Sequence, residues 1–376
     1  MTLSDMKELL RTASTGPTPQ IARLCVVIPA FNEELLLGRC IRSVLQAGVA
    51  AEDIYVVDDC STDATGRVAR ECVGVNLLIN VHKHGKLGGL RRAIEECALV
   101  ERYTYLALLD ADSHVAPDYF VEVLATFSAD ERNVLVCGAP VSERHNWLTA
   151  YRALEYAVTL RAFRQGQHAM GVITVAPGCA STYATRILNC LDWTGQTLVE
   201  DMDVTIQIHR KHLGSVAFTP HAVAYTQDPQ TVRQYIGQLT RWYCGTWQVM
   251  RLHRLLRGGQ AIDAEFGLLV GEGLIYALLA AALPVIAYLR PSAVTSLLLL
   301  DQAIWLTLAA SFAISLRRLD ILVSFPTFLF IRALNCGVFL LTFWSEVVLR
   351  RTRREWFSVS RYRVQPSNPE IDSCAV

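Results

Sequence analysis

The stretch LLDADSHVAPDYF, Leu108–Phe120, sets two carboxylates at the end of an apolar run. The run itself, YTYLALL (Tyr103–Leu109), has the length and apolar continuity of a buried β-strand, and the residues from Pro117 predict a helix. Asp110 and Asp112 therefore follow a strand directly. Because ligands of open α/β sheets bind at the carboxyl ends of the strands, these two acids are candidates for a binding site.

The same alternation of strand and helix extends over residues 24–140. Continuous apolar runs of strand length alternate with amphipathic stretches of helix length. Strands of this kind are buried on both faces, which indicates an α/β fold with a parallel sheet and helices on each side. The predicted strands are Leu24–Pro29, Asp53–Val57, Val75–Asn80, Tyr103–Leu109 and Val134–Pro140, and the predicted helices begin near Glu34, Asp63, Gly88 and Pro117.

The composition limits the class of protein and its partners. Lys and Arg together number 35, as do Asp and Glu, so the formal net charge is zero and nucleic acid is not an expected partner. Hydrophobic residues make up 52% of the chain and charged residues 19%, which is apolar for a soluble enzyme. The polar residues 1–23 predict an extension without a signal peptide. The 11 scattered cysteines include no C-x-x-C pair, so we expect reduced thiols.

Three apolar segments follow residue 260, at about 266–289, 293–316 and 320–349. The first two are long enough to cross ~30 Å of hydrocarbon. Since only the short link RPS separates them, they predict a helical hairpin. A proline, an arginine and an asparagine interrupt the third segment, which leaves its relation to the membrane ambiguous.

Basic clusters help to place the third segment. They lie at 251–257 (RLHRLLR), at Arg317 and Arg318, and at 350–354 (RRTRR). Positive charge prefers the cytoplasmic side, and two crossings put the first two clusters there. A simple third crossing would put RRTRR on the other side. We therefore expect the third segment to lie at the interface or to re-enter, with a full span as the alternative.

A second pair of acids resembles the first in its placement. Asp58 and Asp59 follow a predicted strand just as Asp110 and Asp112 do. Four acids at strand ends favour a divalent cation, since Mg2+ takes oxygen ligands and usually keeps substrate phosphates among them. The alternative is that these acids only favour the N-termini of the helices that follow.

Taken together, six segments resemble the family 2 glycosyltransferases, and specifically the membrane-embedded processive branch that includes cellulose, chitin, hyaluronan and poly-N-acetylglucosamine synthases. The resemblance spans about Leu24–Met250, and its specificity lies in the order and spacing of the segments. They are VVIPAFNEE (Val26–Glu34), VVDDCSTDAT (Val56–Thr65), HGKLGGL (His84–Leu90), LLDADS (Leu108–Ser113), VEDMDVT (Val199–Thr205) and QLTRW (Gln238–Trp242).

The resemblance implies a GT-A-type, Rossmann-like domain with a parallel or mixed sheet, followed by a helical membrane domain. It also implies an integral protein of the plasma or inner membrane whose catalytic domain faces the cytoplasm. The expected organisation is a polar extension at 1–23, the catalytic domain at 24–228, the Q-x-x-R-W helix and an interfacial segment at 229–260, membrane or interfacial helices at 261–355, and a tail at 356–376.

The donor implied by the resemblance is a nucleotide-diphosphate sugar, most simply a UDP-sugar, with Mg2+ or Mn2+. Carboxylates can accept hydrogen bonds from a nucleobase and ribose, and a lysine can approach phosphates as a point charge. The nucleoside is expected at Phe31, Asn32, Glu33 and Asp58 or Asp59, the diphosphate at Lys86, Asp110, Gln238 and Arg241, and the metal at Asp110 and Asp112, with Asp112 the more direct ligand.

The resemblance places the general base at Asp201, within VEDMDVT. Glu200 and Asp203 are neighbours that can substitute for it. Attack opposite the leaving group inverts the anomeric centre, so an α-linked donor gives a β-linkage. The alternative for these acids is a favourable interaction with the dipole at the start of a helix running to about His212.

The acceptor is expected beside the Q-x-x-R-W motif. Gln238, Arg241 and Trp242 share one face of a predicted helix, Thr231–Arg254, by their spacing. Trp242 would stack on a sugar ring, and Gly178 and Cys179 would line the acceptor side. The alternative is a buried tryptophan with an arginine that reaches water.

Two departures from the family qualify this interpretation. Cys60 stands where the family usually has glycine after the first acidic pair, which bears on the geometry of that turn. The membrane helices are also few for a polysaccharide channel, so an oligomer or an export partner would have to complete a pore, unless the product is not exported.

The sequence therefore predicts an inverting, metal-dependent glycosyltransferase that extends a β-linked polysaccharide at the membrane. The alternative is transfer of a single sugar to a lipid acceptor, as in ceramide glucosyltransferases. A non-catalytic scaffold of the same fold would have lost the acidic sites, and here they are all present.

Overall fold

The computed structural model combines a sheet domain with a set of long apolar helices. Most of the predicted N-terminal extension and C-terminal tail lies outside the described residues. The structure describes residues 23–315, 319–353 and 361–362.

One mixed sheet forms the core of the N-terminal domain. Its strands are β1 (Leu24–Ala30), β2 (Ile54–Asp58), β3 (Asn76–Ile79), β4 (Tyr105–Leu108), β5 (His114–Val115), β6 (Asn133–Ser142), β7 (Ser181–Ala184) and β8 (Ser215–Thr226).

The strand order is β3-β2-β1-β4-β7-β6-β8-β5. β3, β2, β1 and β4 are parallel, as the apolar runs predict. The sheet becomes mixed at β7, which is antiparallel to both β4 and β6. The sheet is therefore mixed, which is one of the two arrangements that the resemblance implies, and β6 runs in the same direction as β1 to β4. The carboxyl ends of β1, β2 and β4 still share one edge, and the first acids of the site follow them there.

Helices cover the sheet because their apolar residues recur at helical spacing. In Leu37–Gln46, the buried residues Leu37, Cys40, Ile41 and Val44 form one stripe that packs into the core. The helices are α1 (Leu37–Gln46), α2 (Thr65–Glu71), α3 (Gly85–Glu96), α4 (Leu99–Arg102), α5 (Tyr119–Ala129), α6 (Trp147–Val158), α7 (Gln165–Met170) and α8 (Glu200–Arg210), with 3-10 turns at Ala51–Asp53 and Thr185–Cys190 and a π-helical stretch at Thr159–Arg164.

The C-terminal part of the structure is helical. Three of its helical segments, Ala261–Leu289, Pro291–Ser315 and Leu322–Val348, are long and apolar enough to cross a membrane. The first two are joined at Arg290 alone, as expected of a tight hairpin. The elements are α9 (Val232–Leu252), α10 (Ala261–Leu289), α11 (Pro291–Ser315), a 3-10 stretch (Leu319–Thr327), α12 (Phe328–Phe343) and a π-helical turn (Trp344–Val348).

The third apolar segment lies alongside α9. The Tyr235 hydroxyl donates to the Asn335 side-chain oxygen (2.9 Å), and the Trp247 indole N–H donates to the Thr342 hydroxyl (3.3 Å). Residue numbers rise together along both helices, so α9 and α12 run in the same direction.

Further contacts lie at the two ends of α12. At its start, the Phe328 ring lies 5.8 Å from the ring of Tyr151 in α6. Just beyond its end, the buried Glu346 carboxylate lies 3.0 Å from the Arg251 guanidinium at the end of α9. The expected interfacial position of the third segment stays a prediction, as does the alternative of a full span.

An ion pair joins the third segment to the hairpin. The Arg332 guanidinium donates to both carboxylate oxygens of Asp301 in α11, each at 2.7 Å. It also lies over the rings of Tyr276 and Trp305, at 4.7 and 5.1 Å from their centroids. The acid within an apolar helix is thus neutralised by a neighbouring helix, which is how such charges are usually stabilised.

Candidate active site

Lys86 connects two of the predicted acidic sites. Its ammonium lies 2.6 Å from Asp110 Oδ1 and 3.0 Å from Glu200 Oε1. The sequence places Lys86 just before a helix that starts near Gly88. The helix α3 begins instead at Gly85, so Lys86 belongs to its first turn. A helical lysine between the two carboxylates links the expected phosphate site to the expected base.

Asp59 holds the start of α3. Its buried carboxylate accepts hydrogen bonds from the Asn80 amide (2.8 Å) and from the backbone N–H groups of His84 (2.7 Å) and Gly85 (2.8 Å). These donors occupy both carboxylate oxygens. Asp59 therefore fixes the backbone that carries Lys86, and its expected contact with a nucleoside stays a prediction.

The turn after β2 forms although a cysteine replaces the usual glycine. Cys60 has φ of +62°, in the left-handed region that glycine favours. Its thiol donates to the Asn80 carbonyl oxygen (3.0 Å), and the Asp58 carboxylate accepts from the Ser61 N–H (2.9 Å). Asp58 is 6% exposed, so it also supports the turn. The turn thus forms with cysteine in the left-handed conformation, at a backbone cost of about 1–2 kcal/mol.

The residues after β1 lie across from this turn. Asn32, also left-handed at φ +56°, accepts the Thr62 N–H through its side-chain oxygen (2.8 Å). Phe31 is 37% exposed, and the Lys83 ammonium lies 3.6 Å from its ring centroid. An open aromatic ring beside a cation fits a planar, anionic nucleotide, whereas Asn32 mainly ties two turns together.

An arginine from the far end of the chain joins Glu33 to Asp112. Arg361 donates to both Glu33 oxygens, with contacts of 2.9 and 2.6 Å to Oε1, and a third nitrogen lies 2.6 Å from Asp112 Oδ2. Burial raises the pKa of Glu33 to about 7 even though this arginine opposes the shift. Burial also raises the pKa of Asp112. The sequence carried no signal for Arg361, which fell in the predicted tail.

The three acids in the first turn of α8 have different surroundings. Glu200 pairs with Lys86 (3.0 Å), and Asp203 pairs with His253 at the end of α9 (2.5 Å). Within the described residues, Asp201 has no salt bridge. The two acids that the sequence left as substitutes are therefore engaged elsewhere, which favours Asp201 as the base.

The environment of Asp201 suits proton transfer near neutral pH. Burial, and then the Glu200 carboxylate, raise the pKa of Asp201 to about 6, while Lys86 and Arg241 oppose the shift. A catalytic base works best when its pKa lies near the working pH. Asp110 differs: burial acts to raise its pKa, but Lys86 outweighs that effect and holds the pKa below its ordinary value.

Gly178 lies against the ammonium of Lys86. A Cβ atom on Gly178 would lie 2.5 Å from Lys86 Nζ and 3.9 Å from Asp110 Oδ2. The next residue, Cys179, is buried, and burial raises the pKa of its thiol well above the usual value. Gly178 thus allows a close approach of backbone and lysine, and Cys179 packs as a neutral thiol.

A methyl group at Gly178 should therefore disturb the site without disturbing the fold. We expect Gly178→Ala to displace Lys86 from Asp110 and to reduce sugar transfer by at least about tenfold, the effect of ~1.4 kcal/mol. The measurement is the initial rate in membranes. Gly166→Ala is the control, because no atom lies within 4 Å of its Cβ site. Equal activity of the two variants would show that the close approach is not needed.

The Q-x-x-R-W helix, α9, brings Arg241 toward the acids and leaves a buried polar atom on Gln238. Arg241 is near enough to contribute to the pKa of both Asp110 and Asp201. The Gln238 side-chain oxygen is buried and accepts no hydrogen bond from the described residues. An amide oxygen without a protein donor fits a ligand hydroxyl or N–H.

Trp242 is partly buried, and the sequence missed its neighbour. The Arg152 guanidinium lies 5.2 Å from the Trp242 ring centroid. Arg152 also pairs with Asp228 (3.1 Å) and Glu155, and donates to the Tyr156 hydroxyl (2.7 Å). An arginine in an amphipathic helix reads as a surface residue, so no sequence signal could have found this buried network. The stacking of an acceptor on Trp242 stays a prediction.

The acids present fit a metal ion that shares its ligands with a substrate. Across the described ranges, no group of three or more His, Cys, Asp or Glu side chains has the geometry of a protein-only metal site. Asp110 and Asp112 lie together, and the Asp110 side chain is 36% exposed. Mg2+ is usually bound by one or two carboxylates plus substrate phosphates. The donor set therefore fits Mg2+ or Mn2+ bound together with a diphosphate.

Known proteins share this sequence pattern. A β-monoglucosyldiacylglycerol synthase from Synechocystis sp. is 26% identical over 242 residues, which cover 63% of this chain and 50% of the relative. A poly-β-1,6-N-acetyl-D-glucosamine synthase from Staphylococcus epidermidis is 22% identical over 239 residues, covering 61% and 56%. The chain thus spans about half the length of these relatives.

A solved structure shares the fold. The mannosyltransferase PcManGT from Pyrobaculum calidifontis, in complex with GDP-Man and Mn2+, aligns with a TM-score of 0.55 over 86% of this chain and 92% of its own, at 18% identity. The GT-A-type mixed sheet implied by the sequence is confirmed. The family model described as glycosyltransferase like family 2 matches residues 19–245, and the chain belongs to this family.

Proposed function

We propose that the protein transfers a sugar, with inversion, from a nucleotide-diphosphate sugar to a hydroxyl acceptor at the membrane surface. The observation that carries this proposal is the arrangement of Lys86 between Asp110 and Glu200, beside Asp201, whose carboxylate forms no salt bridge with the residues that the structure describes. This arrangement places a cationic site for phosphate next to Asp201, a candidate base whose pKa of about 6 lies near neutrality. Membership of the family supports the same reaction class.

The donor diphosphate would lie between the cations and the strand-end acids. Lys86 and Arg241 present positive charge to it, and Asp110 and Asp112 would hold Mg2+ or Mn2+. When bound, that ion supplies Lewis-acid stabilisation of the charge on the departing diphosphate. The exposed ring of Phe31 is the candidate contact for the nucleoside. The solved relative with GDP-Man makes GDP-sugars worth testing beside UDP-sugars.

Asp201 would take the proton from the acceptor hydroxyl. As the acceptor oxygen bonds to the anomeric carbon, the bond to the diphosphate breaks and its electron pair leaves with the diphosphate. Attack from the opposite face inverts the centre, so an α-linked donor gives a β-linked product. Lys86 favours the ionised form of Asp201 and thereby keeps the base ready near neutral pH.

Two acceptors deserve a test, and each has its own support. A growing β-linked polysaccharide is supported by similarity to the poly-N-acetylglucosamine synthase. A lipid acceptor is supported by similarity to the monoglucosyldiacylglycerol synthase. The described residues include three segments long enough to cross the bilayer. Two or three crossing helices cannot enclose a sugar chain, which favours the lipid acceptor unless a second copy or an export partner completes a pore.

We place the α10–α11 hairpin across the bilayer and α9 at the interface, as the sequence predicts. The basic residues at the end of α9 and after the third segment would then lie on the side of the sheet domain, which by the preference of positive charge is the cytoplasmic side. This placement gives the site access to soluble nucleotide sugars and to membrane lipids.

The size of the product separates the two acceptors. Membranes containing the protein would receive labelled UDP-glucose, UDP-N-acetylglucosamine or GDP-mannose with Mg2+ or Mn2+. Label that extracts into organic solvent as a small species would establish a lipid acceptor. Label in a long chain would establish a polymer synthase. No transfer above an Asp201→Asn control with any donor would contradict the proposed reaction.

A further inference from the structure

Two residues from beyond the apolar helices dock against the sheet domain; we call Arg361 and Tyr362 the C-terminal latch. The Tyr362 N–H donates to the Gln227 side-chain oxygen (3.2 Å), and its carbonyl oxygen accepts from the Gln227 amide (2.8 Å). The centroid of the Tyr362 ring lies 4.3 Å from that of the His145 ring, with the two planes tilted by 31°, and the Tyr362 hydroxyl donates to the Glu143 carbonyl oxygen (3.3 Å). Tyr362 and Gln227 are both buried, so the latch occupies a formed seat.

Because Tyr362 is docked in this way, the guanidinium of the adjacent Arg361 lies among the acids at the sheet edge. One side of the guanidinium engages Glu33 (2.6 and 2.9 Å), and the other lies 2.6 Å from Asp112 Oδ2. Such two-sided pairing is among the stronger charge-assisted contacts in proteins. Lys86 neutralises Asp110 in the same way (2.6 Å). Asp110 and Asp112 are thus compensated by cations of the chain itself.

Arg361 and a divalent cation would compete for the same carboxylate. A Mg2+ ion binds carboxylate oxygens at about 2.0–2.1 Å. A guanidinium nitrogen already lies 2.6 Å from Asp112 Oδ2 and brings its own positive charge. The guanidinium would repel a metal ion on the same oxygen and, more weakly, one on Oδ1 of the same carboxylate, so metal binding through Asp112 favours a displaced Arg361.

We propose that the C-terminal latch is an internal competitor for the metal site, which closes Asp112 when docked and leaves it when a divalent cation binds. This inference rests on the proposed role of Asp112 as a metal ligand. It gives the residues beyond the membrane helices a regulatory contact with the active site. An event that frees the latch raises the affinity for metal, and an event that seats it lowers that affinity.

Binding of Mn2+ alone, without nucleotide, tests the latch. The affinity of the full-length protein in detergent would be measured by electron paramagnetic resonance of free Mn2+. Arg361→Ala removes the competing cation, and Tyr362→Ala removes the seat but keeps the arginine. We expect both variants to bind Mn2+ about tenfold more tightly, because a docked population of ~90% reduces the apparent affinity by that factor. Arg351→Ala, an exposed arginine of the same flank, should bind as the wild type does.

The outcomes separate the latch from the metal assignment. Unchanged or weaker Mn2+ binding in both Arg361→Ala and Tyr362→Ala would overturn the latch. Asp112→Asn should weaken Mn2+ binding in the wild type and in the Tyr362→Ala background. If it does so while the latch variants bind no more tightly, the latch alone fails. If Asp112→Asn leaves Mn2+ binding unchanged, the metal role of Asp112 fails and the latch with it.

Discussion

Asp201→Asn is expected to lower sugar transfer by about 10²–10⁴-fold, the usual contribution of a general base. Asparagine keeps the shape of the side chain but cannot take a proton. Binding of the donor should be largely kept, because Asp201 lies beside the phosphate cations and is not expected to contact the nucleotide. The measurement is the initial rate of transfer together with the dissociation constant of the nucleotide.

The pH dependence of the transfer rate tests the role of Asp201 independently. With a pKa of about 6, Asp201 is ionised above that pH, so transfer should rise with pH up to about 6–7 and then level off. The rising limb should be absent from the residual activity of Asp201→Asn. Asp203→Asn is the control, since that acid pairs with His253 and should be needed for stability more than for transfer. Wild-type rates in Asp201→Asn would move the base elsewhere.

Lys86→Met is expected to damage both stability and activity. The variant keeps the apolar stem but leaves Asp110 and Glu200 without their shared cation. Truncating one partner of a fully buried pair costs about 3–5 kcal/mol, and the 19% exposure of the Lys86 side chain reduces our expectation to roughly 2–3 kcal/mol. The measurement is the unfolding midpoint in detergent, with and without donor.

The same change should shift the pH dependence upward. Lys86 lowers the pKa of Asp201, so its removal should move the rising limb of the transfer rate to higher pH. The double variant Lys86→Met/Glu200→Gln removes one of the stranded charges and should recover part of the stability but little of the activity. If Lys86→Met unfolds at the wild-type midpoint, the ion pairs contribute nothing to stability.

The sequence predicted the half of the sheet in which local pattern and burial agree. β1 to β4 are continuous apolar runs, and each appears close to its predicted bounds. β7 was missed because its first residues, Ser181 and Thr182, are fully buried but polar. β8 was missed because Pro220 and the polar residues beside it divide its two short apolar runs. β6 was predicted, but β7 and β8 depend on long-range pairing that a local pattern does not encode.

The candidate site likewise has parts that the sequence predicted and parts that it did not. Motif spacing predicted the neighbourhood of Lys86, Asp110 and Asp201, because each follows or begins an element whose end lies at one sheet edge. It could not predict Arg361, since 328 residues separate that arginine from Glu33. Nor could it predict that the Asp59 carboxylate would accept hydrogen bonds from backbone N–H groups at the start of α3. Those contacts form only when distant segments pack, and neither charge nor spacing in the sequence predicts them.

The position of α9 between the acids and α12 has a consequence for how the enzyme would meet its acceptor. An α-helix with its side chains is about 10–12 Å across, so the reacting centre lies roughly one helix width from the apolar layer. For an acceptor held in that layer, the search is two-dimensional. The quantity that governs the rate is then the number of acceptor molecules per unit area of membrane. Diluting the acceptor with inert lipid should slow transfer even when its bulk concentration is unchanged.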